Sequence, residues 1–308
     1  MINFKQYPNM TKCMILDGTP LSTTDFSNAF NGMENLKTVV LPNNITNITN
    51  TFRNCISLTT AICGSNVTSM RAAYYKCTNL TTAVCGPNVT DMYGSYYGCS
   101  NLTTAICGPN VTHMGVAYYS CSNLTTPVCG PNVTNMHDAY SACTNLTTAV
   151  CGPNVTNMYG SYYGCTNLTA SVCGPNVAQM TDAYCDCTNL TTIACGPNVT
   201  NMYCAYYRCI NTKGNTYFYS NSIQNVRNCF YNRNTSNMLN IYVHAGTTTN
   251  TYVHRNNTQS LVGKTITWTT DTTNNCSYNT AYNIYIYPVA NVDAARIANG
   301  DPDYMGNL

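Results

Sequence analysis

The sequence predicts a β-rich solenoid of short parallel strands, followed by a small β-rich module at the C-terminus. Three observations carry that expectation. The chain repeats itself every 22 residues. One cysteine column runs Cys55, Cys77, Cys99, Cys121, Cys143, Cys165, Cys187 and Cys209; a second runs from Cys63 through Cys85 and Cys107 to Cys195. Leucines from Leu36 to Leu190, methionines from Met70 to Met202 and aromatics from Phe30 and Phe52 through Tyr74 to Tyr206 keep the same step. Within a unit, Leu36, Val39 and Leu41 have the L-x-x-L-x-L spacing of a short strand facing a core, which later units write as Leu80, Ala83 and Cys85. A "GPN" then turns the chain, Pro87 fixing one dihedral and Gly86 relaxing another.

So short a unit holds a strand, two turns and a return, with no room for a long helix. After the turn, Val89, Met92, Tyr96 and Cys99 suggest a short helical or 3₁₀ segment, or an irregular coil. No single unit can bury its apolar side; stacking the units closes a common core.

In order along the chain, residues 1–25 are no repeat, and they read as an N-terminal cap with one strand in "TKCMILDG". Residues 26–210 are the repeat solenoid. Residues 211–237 form a degenerate terminal repeat with Ile223, Val226 and Phe230 in repeat-like order. Residues 238–308 read as a C-terminal β-rich module for docking or attachment, with strands in "MLNIYVHAG", "GKTITWTT" and "AYNIYIYPVA" and one helical turn in "NVDAARIANG".

The phrase "TNLTTAVCGPNVTNMYGSYYGC" (residues 144–165) resembles the BspA-like leucine-rich repeats. Leu80, Ala83 and Cys85 match that repeat's strand positions. Pro87, Asn88, Val89, Thr90 and Met92 match its turn and return, and Tyr96 and Cys99 match its aromatic and its cysteine. This 22-residue variant is one shorter than the common repeat, with Cys at the strand end and Tyr for Phe. The resemblance implies a β-rich leucine-rich-repeat solenoid and a relationship to surface adhesins of bacteria and some protists.

Composition narrows the function. Only 8% of the 308 residues are charged, with a formal net charge of +2, against about 25% in common soluble domains. No basic run follows a phosphate backbone, so nucleic acid is not an expected partner. No stretch reaches the length and apolarity of a spanning helix, so no membrane insertion is expected. The N-terminus shows no basic tract followed by an apolar segment. With few repelling charges, assembly into an oligomer is expected. The signatures of nucleotide-binding loops, zinc proteases and serine hydrolases are missing. His113 and His137 stand in different repeat phases, His244 and His254 fall in the terminal module, and Asp91, Asp138, Asp182 and Asp186 form no evident acid pair. No enzyme, cofactor or metal is expected.

The 20 cysteines read as buried thiols acting as small hydrophobes, because an identical column gives no basis for pairing neighbours. Cys185 and Cys204, out of phase with both columns, are the disulfide candidates. The sequon-like triplets at Asn88, Asn110, Asn132 and Asn154 recur because the turn recurs. The candidate binding face is a platform of Thr81, Val84, Thr103, Ile106, Thr125, Val128, Thr147 and Val150, expected to point away from the core. On ideal alternation, Thr81 and Thr82 do not both face outward. The column Tyr75, Tyr97, Tyr119, Tyr163 and Tyr207 is a second candidate surface.

These features suggest a non-enzymatic structural or attachment protein of a virus particle, a bacteriophage, located in the virion. Its partners would be other virion or surface-assembly proteins and a host glycan or surface protein. The alternatives are a bacterial cell-surface adhesin of the BspA-like type, extracellular or on the cell surface, and, more remotely, an ice-binding protein.

Overall fold

The computed structural model describes residues 3–15, 23–220, 222–231, 233–244, 269–271, 276–279 and 284–301. The chain divides into two compact units, Met1–Leu146 and Thr147–Leu308.

In the first unit β1 (Lys12–Met14) pairs in parallel with β2 (Thr38–Val40). Beyond β2 the strand side of each coil shrinks to one bridging residue, in the series Thr60, Thr82, Thr104 and Thr126. The strands read from the leucine spacing are therefore far shorter than expected, and the reason lies in the aromatic column. Tyr96 is fully buried. Its hydroxyl accepts from the Val84 N–H at 2.9 Å and donates to the Val84 carbonyl at 2.5 Å. Tyr118 holds Ile106 in the same way at 3.0 and 2.5 Å, and Tyr74 and Tyr140 hold Ile62 and Val128. Backbone groups that a ladder would use are thus satisfied from inside the core. Phe52 has no hydroxyl, and the residue at the matching place, Val40, instead gives its carbonyl to the Ile15 N–H at 3.0 Å in a true strand pair. Side-chain size follows: Val39 and Leu41 accompany Phe52, whereas the smaller Ala83 and Cys85 leave space for the phenol oxygen of Tyr96.

The opposite side of the coil is neither helical nor irregular. Alternate N–H groups donate to the next coil: Met92 to His113, Gly94 to Gly115, Tyr96 to Ala117 and Gly98 to Tyr119, at 2.7–2.9 Å. The residues between bond back three positions, as Ser95 does to Met92. This alternation requires two left-handed residues per coil. Gly94 (φ 63) and Gly98 (φ 70) meet the requirement without strain; Ala72, Lys76, Val116, Ser120, Asp138 and Ala142 meet it with φ between 48 and 59.

Rings stack along the core from Phe4 on Phe30 (4.5 Å) through Phe52, Tyr74, Tyr96 and Tyr118 to Tyr140, at 5.2–5.5 Å beyond Phe30. Thiols of the first cysteine column donate to the carbonyl of the aromatic on the preceding coil, as Cys99 does to Tyr74 at 3.1 Å. Those of the second column sit against the next coil's glycine. A Cβ on Gly108 would lie 2.8 Å from Cys85 Sγ, which explains the glycine of "CGPN" by close approach. All nineteen cysteines whose side chains are described are thiols, Cys185 and Cys204 included.

In the second unit, Tyr162, Tyr184 and Tyr206 continue the inward-hydroxyl arrangement, on Val150, Val172 and Ala194. The last coil has Phe230, and there a full strand returns: β3 (Gly214–Phe218). It opens a five-stranded sheet with β4 (Leu239–His244), β5 (Thr269–Asp271), β6 (Cys276–Asn279) and β7 (Ile284–Val289), in the order β3-β4-β7-β6-β5. β3, β4 and β7 run parallel, and β5, β6 and β7 pair antiparallel. The sheet therefore passes from residues 211–237 into 238–308 without a break. The short helix α1 (Val292–Ala298) follows, its N-terminus capped by Asn291 Oδ1, which accepts from the Ala294 N–H at 2.9 Å. Of "GKTITWTT" only Thr269 onward lies within the described residues; His254 and the side chain of His244 lie outside them.

Candidate binding face

The strand side bears the threonine platform. In the first unit Thr81, Thr103 and Thr125 are exposed, and so is Thr82, because a single bridge imposes no pleat on its neighbours. The alternation that would have turned one of each pair inward is absent. Thr103 and Thr125 use their hydroxyls between coils, donating to the carbonyls of Thr81 and Thr103 at 3.4 and 3.3 Å. Val84 and Val128, expected to face solvent, are half-buried, whereas Ile106 at the equivalent position is 43% exposed. In the second unit Thr147 is exposed and Val150 half-buried. The adjacent turn is equally committed. Asn88, Asn110 and Asn132 donate Nδ2 to the preceding coil's Ser65, Pro87 and Pro109 carbonyls at 2.8 Å, so these asparagines recur for a structural reason.

The turn arc is different. Of the ten Asp, Glu, Lys and Arg residues between 26 and 210, eight lie there: Arg53, Arg71, Lys76, Asp91, Asp138, Asp182, Asp186 and Arg208, together with His113 and His137. Its outward positions also change from coil to coil, one of them reading Arg71, Tyr93, Gly115 and His137, while the threonine positions barely change.

In the first unit the arc carries two side-chain groups. Tyr75, Tyr97 and Tyr119 stack at 4.5 and 4.7 Å with nearly parallel planes, and the Arg53 guanidinium lies 3.9 Å over the Tyr75 ring. Four positions earlier on the coils, the Arg71 guanidinium lies 4.2 Å over Tyr93 and pairs with Asp91 at 3.2 Å. Asp91 also accepts from the Tyr93 N–H at 2.8 Å and stands 3.7 Å from His113 Nδ1. Gly115 leaves this group its space: a Cβ there would come within 3.0 Å of His113 and 3.1 Å of Tyr93. Small residues, Ala72, Gly94 and Val116, separate the two groups in sequence. Further along, His137 Nε2 meets Asp138 at 2.7 Å; burial raises the Asp138 carboxyl above its ordinary range and the histidine opposes that.

In the second unit, Tyr159 and Tyr163 are each 42% exposed, Arg208 pairs with Asp186 at 3.1 Å, and Tyr207 stacks on Tyr231 at 5.2 Å. Burial, then Asp186 and Asp182, push the Cys185 thiol well above its usual range. Among the described residues no cluster of His, Cys, Asp and Glu is arranged to hold a metal ion. Such an arc offers hydrogen bonds, stacking and charge.

Reading for periodicity found the tyrosine column but not the arc, because the arc's signal is departure from the period. Subtracting the consensus coil from each coil would have exposed it.

The BspA-type leucine-rich repeat region matches in six copies over residues 26–125 and 93–185, together more than half of the chain. A search of curated proteins finds no match. Among solved structures, a leucine-rich repeat protein from Bacteroides ovatus superposes with a TM-score of 0.59 at 16% identity, over 76% of this chain and 67% of that one. A leucine-rich cell surface protein from Faecalibacterium prausnitzii gives 0.46 at 17% identity, over 77% and 76%. The pneumococcal vaccine antigen PcpA gives 0.43 at 10%, over 84% and 57%. Identities this low speak to the fold alone, and nothing in these comparisons points to a virus. The chain belongs to the BspA-type leucine-rich repeat family.

Proposed function

We propose that this chain is a non-catalytic binding protein displayed at a cell surface and that the turn arc is its recognition face. The carrying observation is the concentration of eight of ten repeat-region charges, and both repeat-region histidines, on one side of the coils. A surface that repeats one residue pattern offers weak, interchangeable contacts, whereas a specific partner needs positions that differ. Family membership supports the reading, since the resemblance implies surface adhesion. The cell-surface alternative is accordingly preferred to the virus particle, for which the comparisons offer no support. No observation favours ice binding: the Thr103 and Thr125 hydroxyls are already bonded to neighbouring coils.

Beads coated with the chain, scored for adhesion to intact bacterial and animal cells, test the proposal. Replacing Arg71, Tyr97 and Tyr119 by Ser should weaken adhesion about tenfold or more. Replacing Thr81, Thr103 and Thr125 by Lys should leave it within a factor of about two. The reverse ranking, or no adhesion to any cell, would overturn the assignment.

A further inference from the structure

If the turn arc is the recognition face, its first coils narrow the chemistry of the ligand. Arg53 and Lys76 both approach the Tyr75 ring, at 3.9 and 5.7 Å. Among the described residues neither is paired with a carboxylate. A guanidinium stacked on a ring keeps its in-plane N–H groups available, and those groups fit a carboxylate in bidentate fashion. Arg71, one coil beyond Arg53, is paired with Asp91 at 3.2 Å and adds no net charge. Next to these cations runs the Tyr75–Tyr97–Tyr119 ladder, one ring per coil at 4.5 and 4.7 Å. Its rings cover one another's faces, so what it offers along its length is ring edges and a row of phenol groups able to donate and accept. That suits a row of hydroxyls, and a pyranose chain advances by about one coil spacing per sugar.

The unpaired positive charge lies at one end of the arc. Asp91 lies one coil beyond Arg71 and Lys76, and Asp138 lies two coils beyond Asp91. Asp91 neutralises Arg71 and Asp138 faces His137, so a uniformly anionic polymer laid on this face would be attracted only at the Arg53–Lys76 end and gain nothing further on, which argues against polyuronates, nucleic acids and acidic peptides alike. A chain with one acidic residue at its end is complementary throughout.

We propose that the first unit binds an oligosaccharide ending in a carboxylate-bearing sugar, with the carboxylate at Arg53 and Lys76 and the neutral sugars along Tyr75, Tyr97 and Tyr119.

An array of oligosaccharide pairs, each pair differing only by a terminal sialic or uronic acid, tests this with the intact chain. At least one acidic member should bind about tenfold more tightly than its neutral partner, with the difference shrinking in high salt. Arg53→Gln with Lys76→Gln should abolish that preference while leaving the thermal melt unchanged, and Tyr97→Ser should weaken both members of the pair. The proposal is overturned if no acidic member outperforms its neutral partner, if the charge variant keeps the preference, or if a glutamate tripeptide binds as well as the best saccharide. Loss of acidic preference with arc-dependent cell adhesion intact would remove this inference alone; loss of adhesion in the bead assay would remove the recognition face itself.

Discussion

The two sides of a coil in the first unit hold the stack together by different means. On the turn side the backbone does it: the N–H groups of Met92, Gly94, Tyr96 and Gly98 reach the next coil unaided. On the strand side the backbone gives one bridge per coil and single bonds such as the Thr112 N–H to the Thr90 carbonyl at 3.0 Å; the Thr103 and Thr125 hydroxyls and the Asn88 and Asn110 amides add to these between coils, while each tyrosine hydroxyl ties its own coil together across the core. A side chain that carries the structure cannot change without loss. A position whose structural work is done by its own peptide group is free to carry Arg, Tyr, Gly or His. Variation and charge therefore collect on the turn side, while the strand side stays uniform.

Raising the pH should separate the two kinds of bonding with the largest effect. Peptide amides do not titrate in this range; phenols and thiols do. Burial pushes the Cys55, Cys85, Cys99 and Cys143 thiols to about 12 and Cys107 to about 11, from an ordinary 9.0, and lifts the core tyrosines well above theirs. Because the folded state holds these protons more tightly, their contribution is intact below pH 9 and is lost as pH rises from 9 toward 12. Each thiol ionised only in the unfolded chain lowers stability by about 1.4 kcal/mol per pH unit. Circular dichroism with reductant present should show cooperative unfolding between pH 9 and about 11. A chain still folded above that range would mean that the thiols and phenols reach solvent in the folded state.

A smaller effect tests whether ring and coil are matched. Tyr118→Phe strips the Ile106 N–H and carbonyl of their partner and should cost about 1–2 kcal/mol by denaturant unfolding. The reverse exchange, Phe52→Tyr, should cost a similar amount, about 1–3 kcal/mol, because it forces a hydroxyl between Val39 and Leu41 where Val40 already bonds to Ile15. If either exchange were neutral, the correspondence between phenylalanine and true strands would be coincidence.

Much of this was legible in the sequence, and the rest was hidden for identifiable reasons. The 22-residue step and the inward columns show directly, because burial demands the same residue in each coil. The strand lengths do not. Leu80, Ala83 and Cys85 have strand spacing, but whether the backbone between them pairs sideways or inward depends on one oxygen, twelve residues downstream, on Tyr96. The left-handed positions were equally hidden. Gly94 and Gly98 hint at them, but Ala72 and Val116 stand where Gly94 does and Lys76 where Gly98 does, and no single-residue preference predicts them there. The threonine platform stood out for its regularity, and that regularity reflects its structural work. Arg53, Arg71, Asp91 and His113 occur once each, so a search for repetition passed them over.

The smallest expected effect carries the opposite sign. Val116 stands at φ 48, a left-handed conformation in which a β-branched residue is poorly accommodated. Most of its counterparts on other coils, Asn28, Asn50, Gly94, Asp138, Gly160 and Asp182, are residue types that enter this region easily; Ala72 and Cys204 are the exceptions. The valine is half-buried and packs toward the place where a Cβ on Gly94 would lie, so replacing it gives up some apolar burial. Relief of strain is worth about 1–2 kcal/mol, and the burial of a half-exposed valine about 1 kcal/mol. Val116→Asn should thus be neutral or stabilising by up to about 1 kcal/mol, read as a higher midpoint in denaturant with an unchanged slope. The same replacement of a core valine, Val89→Asn, puts a polar amide into a fully buried site and should be strongly destabilising. A Val116→Asn change that proved destabilising by more than about 1 kcal/mol would show that the turn side, too, depends on its side chains. The division of labour between the two sides would then fail at the position where it is most easily tested.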